Sequence, residues 1–121
     1  MNDKPGFDLE KRTLRFSEDI LALCAEIKQT VITSPLINQV VRSGTSIGAN
    51  YCEANNASSK KDFKNKIYIC KKECQETKYW LMLLQKSCPD NIESIKPLWQ
   101  ECHELNLIFQ KIISSMDKSV A

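Results

Sequence analysis

The sequence predicts an all-α protein, an antiparallel up-and-down four-helix bundle, on three observations. Only three glycines and four prolines punctuate 121 residues, which leaves long uninterrupted stretches suited to helices rather than to many short strands. Apolar residues recur at helical spacing in four separate segments. The breaks between those segments are short, so successive helices run antiparallel as packed neighbours. The length fits one domain over residues 1–121, and 42% hydrophobic with 26% charged residues is an ordinary globular balance.

The first helix is expected over roughly 8–32, where Leu9, Phe16, Ile20, Leu23, Ile27 and Val31 make one face. The second, 35–56, opens on Ser34-Pro35, a capping residue followed by proline at the first helical position. Its stripe is Leu36, Val40, Ile47, Tyr51 and Ala54. The third, 59–87, starts with Ser59 and Asp62 spaced as a capping box. Its core face is Phe63, Ile67, Cys70, Cys74, Thr77, Leu81 and Leu84. Cys88-Pro89-Asp90-Asn91 breaks the chain before the fourth helix, 93–118, which presents Leu98, Cys102, Leu105, Phe109, Ile112 and Met116. Pro97 is expected in the first turn of that helix.

No apolar run approaches the ~20 residues that span a bilayer, and the acidic N-terminus does not read as a signal peptide. The expected compartment is the cytoplasm, where thiols stay reduced. Cys24, Cys52, Cys70, Cys74, Cys88 and Cys102 therefore read as buried free thiols, five of them inside helical patterns. A net charge of +2 does not by itself imply nucleic acid. Its distribution is uneven, because residues 58–87 carry eight lysines against Asp62, Glu73 and Glu76.

Those lysines are ordered. At about 100° per residue, Lys60, Lys61, Lys64, Lys71, Lys72, Lys78 and Lys86 fall within one sector of about 120°, with Lys66 outside it. Such a stripe is either a solvated face or a track for a phosphate backbone, and a ring of identical subunits would repeat it. Ile69, Trp80 and Leu83 make a second apolar sector of the same helix, away from its core face. Either more of this helix is buried than in a simple bundle, or a second subunit covers it; the subunit is the favoured reading.

On the second helix, Gly44 and Gly48 either let another helix approach closely or mark a break near Ser43-Gly44-Thr45. Arg42, Ser46, Asn50 and Glu53 form a polar row. A hairpin turning near residues 57–58 sets Arg42 level with Glu73, and such a pair would fix the register of two helices. Cys70 and Cys74 share a face and His103 is the one histidine, but a structural zinc site needs a second close ligand pair that the sequence lacks. No metal, cofactor or catalytic residue is expected: there is no phosphate-binding loop, dinucleotide fingerprint or nucleophile elbow.

The run from Val41 to Leu84 resembles a specific family. Its pieces are Arg42-Ser43-Gly44-Thr45-Ser46-Ile47-Gly48-Ala49-Asn50-Tyr51, Glu53-Ala54, Ser59-Lys60-Lys61-Asp62-Phe63 and Lys72-Glu73-Cys74-Gln75-Glu76-Thr77-Lys78-Tyr79-Trp80-Leu81. They are similar to the bacterial four-helix bundle proteins encoded by intervening sequences within 23S rRNA genes. That family is related to the accessory variability protein of diversity-generating retroelements. Residues 1–40 and 88–121 agree in pattern only, and Cys52, Cys70 and Cys74 stand where alanine-like residues are usual. The resemblance implies a ring-like homo-oligomer, a pentamer, with an RNA-linked role. Two functions are then expected to compete. One is a homo-oligomer that meets RNA, or an RNA–protein complex, through the lysine stripe. The other is a scaffold that docks a polymerase or reverse transcriptase without touching nucleic acid.

Overall fold

Capping residues and chain breakers set the four helices. The computed structural model describes residues 8–120, the last two by backbone alone, so Pro5-Gly6 and the rest of 1–7 lie outside the described residues. Helix α1 spans Leu9–Glu26, α2 Thr33–Asn55, α3 Lys60–Ser87 and α4 Ile92–Val120, with a 3-10 turn at Pro89–Asn91. Among the described residues there is no strand, and no helix is long and apolar enough to cross a membrane. The architecture is the expected all-α four-helix bundle: α1 packs on α2, α2 on α3 and α3 on α4, with α4 returning against α1.

Helix α1 ends earlier than its periodicity implies. Ile27 is buried, but its backbone is already extended, and Val31 is 93% exposed. A pair of threonines is the cause. Thr30 N donates to Thr33 Oγ1 at 2.8 Å, and Thr33 N donates to Thr30 Oγ1 at 3.0 Å. This reciprocal cap starts α2 upstream of Ser34-Pro35, which fall inside its first turn rather than at its boundary. Val31 keeps helical spacing but belongs to the cap, not to the core. Helix α4 likewise begins at Ile92, so Pro97 lies in its second turn, at an exposed position.

Phe16, Ile20, Val40, Ile47, Ile67, Leu81, Leu84, Ile95, Leu105 and Phe109 are fully buried. Each such side chain contributes about 1.5–3 kcal/mol relative to exposure. Ile37, Ile95 and Ile113 join this core although the simple stripes omitted them. Tyr51 of α2 reaches Phe109 of α4 across it, with ring centroids 6.0 Å apart.

The two glycines of α2 mark a close helix approach and not a break. A Cβ at Gly44 would sit 3.1 Å from Ile20 Cγ1, and one at Gly48 would sit 3.3 Å from the Thr13 carbonyl oxygen. The Thr13 hydroxyl, which donates to Leu9 O at 2.7 Å, would lie 3.2 Å from the Gly48 Cβ, so side chains as well as backbone of α1 already press on both glycines. Opposite this seam, Arg12 closes the bundle by a forked pair with Glu101 of α4, at 2.7 and 2.9 Å, and also reaches Glu104 at 3.1 Å. The Glu101 hydrogen bond is the main reason the Arg12 guanidinium is held above its ordinary range.

Candidate nucleic-acid interface

The lysines stand on α3 because Ser59 starts that helix cleanly. Ser59 Oγ accepts from Asp62 N at 3.0 Å, and the helix then runs unbroken to Ser87. The side chains of the stripe fall into two groups. Lys60, Lys61, Lys72 and Lys86 are exposed, while Lys64, Lys71 and Lys78 are half-buried on the flank that faces α4. Lys64 is ion-paired to Asp117, and that hydrogen bond raises it above the ordinary lysine range. Lys66, outside the stripe, is held by Glu53 at 2.8 Å. No carboxylate pairs with Lys60, Lys61, Lys71, Lys72 or Lys86 among the described residues.

Lys78 has a different setting. Its Nζ donates to His103 Nδ1 at 2.9 Å and lies 5.0 Å from the centroid of the Trp99 ring. An ammonium group has only donors, so Nδ1 must offer its lone pair and Nε2 carries the ring proton. His103 in turn stacks on Trp99, with centroids 5.3 Å apart and planes 11° from parallel. This cation–histidine–indole cluster was not legible in the stripe. The signal was one helical turn between Trp99 and His103 on α4, which means nothing until α3 is laid beside it.

The second apolar sector faces the α2 side of α3. Ile69 and Trp80 are half-buried, and Trp80 packs against the core of its own bundle. Its indole N–H is buried without an acceptor among the described residues, and Tyr79 meets its ring edge-on at 5.1 Å. Leu83 is 36% exposed. The sector is therefore a shallow surface beside the α2–α3 seam, with the exposed Tyr79 adjoining it.

Arg42 reaches across that seam. Its Nη1 lies 3.4 Å from Glu73 Oε1 and its Nη2 lies 2.6 Å from Glu76 Oε1, while Nε donates to Gln39. The Glu76 hydrogen bond is the main cause that raises the Arg42 guanidinium. Just inside, the Ser43 and Thr77 hydroxyls lie 2.8 Å apart, fully buried, and also approach the Gln39 and Glu73 carbonyls at 2.9 and 2.7 Å. Of the rest of the polar row, Ser46 donates to Arg42 O and Asn50 to Ser46 O on their own helix, while Glu53 reaches across to Lys66 of α3.

The cysteines are packing residues with one exception. Cys24, Cys70, Cys74, Cys88 and Cys102 are buried, whereas Cys52, expected inside, is exposed on α2. Cys70 donates to Ile47 O at 3.5 Å and Cys102 to Cys74 O at 3.3 Å. Burial pushes the Cys70 thiol up to about 12 and Cys24 up to about 11; the Cys102 hydrogen bond, then burial, drives Cys74 upward as well. No three His, Cys, Asp or Glu side chains converge among the described residues as metal ligands would. His103 is turned to Lys78 and Trp99, away from that core.

These features define an all-helical bundle with one basic flank. Residues 7–112 match the family model of the 23S rRNA-intervening sequence protein, and the chain belongs to that family. It is also similar to a crystallised protein of unknown function from the S23 ribosomal protein family of Bacteroides thetaiotaomicron. The two share 37% sequence identity with a TM-score of 0.77, over 87% of this chain and 97% of that one. No curated protein matches the chain.

Proposed function

We propose that this protein is a non-enzymatic, self-associating bundle that holds RNA, or an RNA–protein complex, against the lysine flank of α3. One observation carries the reading. Lys60, Lys61 and Lys72 are exposed on a single flank and ion-paired to no carboxylate among the described residues, whereas Arg12, Arg42, Lys64 and Lys66 are each paired to one. Lys60 and Lys61 adjoin, and Lys72 stands about 17 Å further along the same helix, a row that an extended polyanion can follow. The family's association with 23S rRNA intervening sequences agrees with this reading.

Self-association multiplies the flank. Copies meet through the shallow surface of Ile69, Trp80 and Leu83, in a ring for which a pentamer is the proposed form. Sedimentation of the wild type and of Leu83→Glu tests this: the wild type should run as an oligomer and the variant as a smaller, equally helical species. A wild-type monomer at high micromolar concentration would refute the ring.

A titration of fluorescent single-stranded RNA at several salt concentrations tests the RNA reading. Binding should be measurable at low salt and weaken steeply as salt rises. If low salt gives no binding, the scaffold reading takes its place. Its support is the outer face of α1, where Leu14 is 59% and Leu21 50% exposed one above the other.

A further inference from the structure

Between α3 and α4 lies a solvent-open cavity of about 560 Å³, lined by Met82, Gln85, Lys96, Pro97, Trp99 and Gln100. That volume is within the range of small-ligand sites, about 300–1,000 Å³, and is far larger than a packing defect. Its lining is mostly apolar, with a flat indole, two side-chain amides and one ammonium group. His103 stacks on Trp99 without lining the cavity, and the indole also packs against the core, so the cavity meets the remaining, half-buried part of the ring.

The position of this cavity is informative. Counted at about 100° per residue, Met82 falls inside the same α3 sector as the lysine stripe. Lys78 stands one turn before Met82 and Lys86 one turn after it, and Lys96 faces them from α4. A flat apolar slot surrounded by cations suits a ligand that is planar and aromatic at one end and anionic at the other.

We infer that this cavity receives an unstacked nucleobase, laid against Trp99 and flanked by Gln85 and Gln100, with its phosphate turned toward Lys86 and Lys96. The inference rests on the RNA reading above and sharpens it: duplex RNA, whose bases are stacked away, cannot fill the slot, whereas single-stranded RNA or a free nucleotide can. Side-chain amides offer both donors and acceptors to a base edge. Stacking on one indole is worth about ten-fold or more in affinity.

Three probes decide it: a short single-stranded oligoadenylate, a blunt RNA duplex of equal charge and adenosine monophosphate. The wild type should prefer the single strand to the duplex, and Trp99→Leu should lower single-strand affinity by about ten-fold while leaving duplex affinity unchanged. Should Trp99→Leu lose helical circular dichroism, Met82→Glu is compared with Gln75→Glu. Both positions are exposed and both changes add one negative charge, but only Met82 lines the cavity. A markedly larger loss for Met82→Glu supports the slot, and equal losses overturn it. Equal affinity for single strand and duplex, with no effect of Trp99→Leu, would remove the slot and leave the lysine flank standing. Binding of adenosine monophosphate that Trp99→Leu abolishes, without binding of either RNA, would keep the slot and remove the RNA reading.

Discussion

Arg42 Nη1 lies 3.4 Å from Oε1 of Glu73, whose carboxylate is buried at the seam between α2 and α3. Glu76 is the nearer partner of the same guanidinium, at 2.6 Å, but it is more exposed. Burial, not distance, decides which loss costs more. Removing Arg42 strands a carboxylate with little access to water, whereas removing Glu76 breaks a partly solvated pair. Arg42→Ala should lower unfolding free energy by about 1–3 kcal/mol, and Glu76→Ala by less than about 1 kcal/mol. Urea unfolding of both variants, with a double-mutant cycle through Glu73→Gln, measures the difference. Equal costs would assign the contact to the surface.

Gly48 and Gly44 should respond differently to alanine. Each substitution gains about 1 kcal/mol of helix propensity. At Gly48 the new methyl meets the Thr13 backbone oxygen at 3.3 Å, so α1 itself has to move; at Gly44 it meets the side chain of Ile20. Gly48→Ala is expected to be destabilising by about 1–2 kcal/mol net, and Gly44→Ala to stay within about 0.5 kcal/mol of the wild type. Thermal unfolding followed by circular dichroism reads both. A stabilised Gly48→Ala would show that the two helices have room to spare.

The thiols predict a pH dependence. Cys24 and Cys70 rise from an ordinary value of 9.0 to about 11 and about 12. Below pH 9 the folded and unfolded chains both keep these protons, and the stabilising contribution is complete. Above it the unfolded chain loses protons that the folded chain retains, so stability falls from pH 9 until the folded thiols ionise near 11 and 12. Denaturant midpoints between pH 8 and 11 should decline, and Cys70→Ala should flatten the decline. At neutral pH a thiol reagent should modify Cys52 quickly and the other five slowly, with Cys52→Ser abolishing the fast phase. Rapid modification of two or more thiols would place another cysteine outside the core.

Much of this fold was legible because helix faces repeat along the chain. The stripes of Phe16, Ile20 and Leu23, or Cys102, Leu105 and Phe109, need no knowledge of neighbours. The Arg42–Glu73 level followed from one hairpin, and its small offset is visible in the partners: Ser43 meets Thr77, Ile47 meets Cys70 and Glu53 meets Lys66. Those pairs centre the hairpin near residue 59, which sets Arg42 level with Glu76 and leaves Glu73 one turn away. The features that were missed or misread depend on contacts far apart in sequence or on hydroxyl chemistry. Arg12 and Glu101 are joined across 89 positions, and neither carries a local sign of the other. Val31 has helical spacing, but the Thr30–Thr33 cap claims it. Trp99, His103 and Lys78 form a cluster only when two helices lie side by side.

The lysine flank of α3 is the centre of the functional account, and the salt dependence of RNA affinity tests it most directly. Lys61 and Lys72 are exposed and unpaired, so Lys61→Glu with Lys72→Glu should leave the bundle folded. Each lost phosphate contact with single-stranded RNA lowers the slope of log affinity against log salt by about 0.7. The double variant should bind single-stranded RNA at least ten-fold more weakly at low salt, with a slope shallower by about 1.4. A folded double variant with wild-type affinity and wild-type slope would contradict the account.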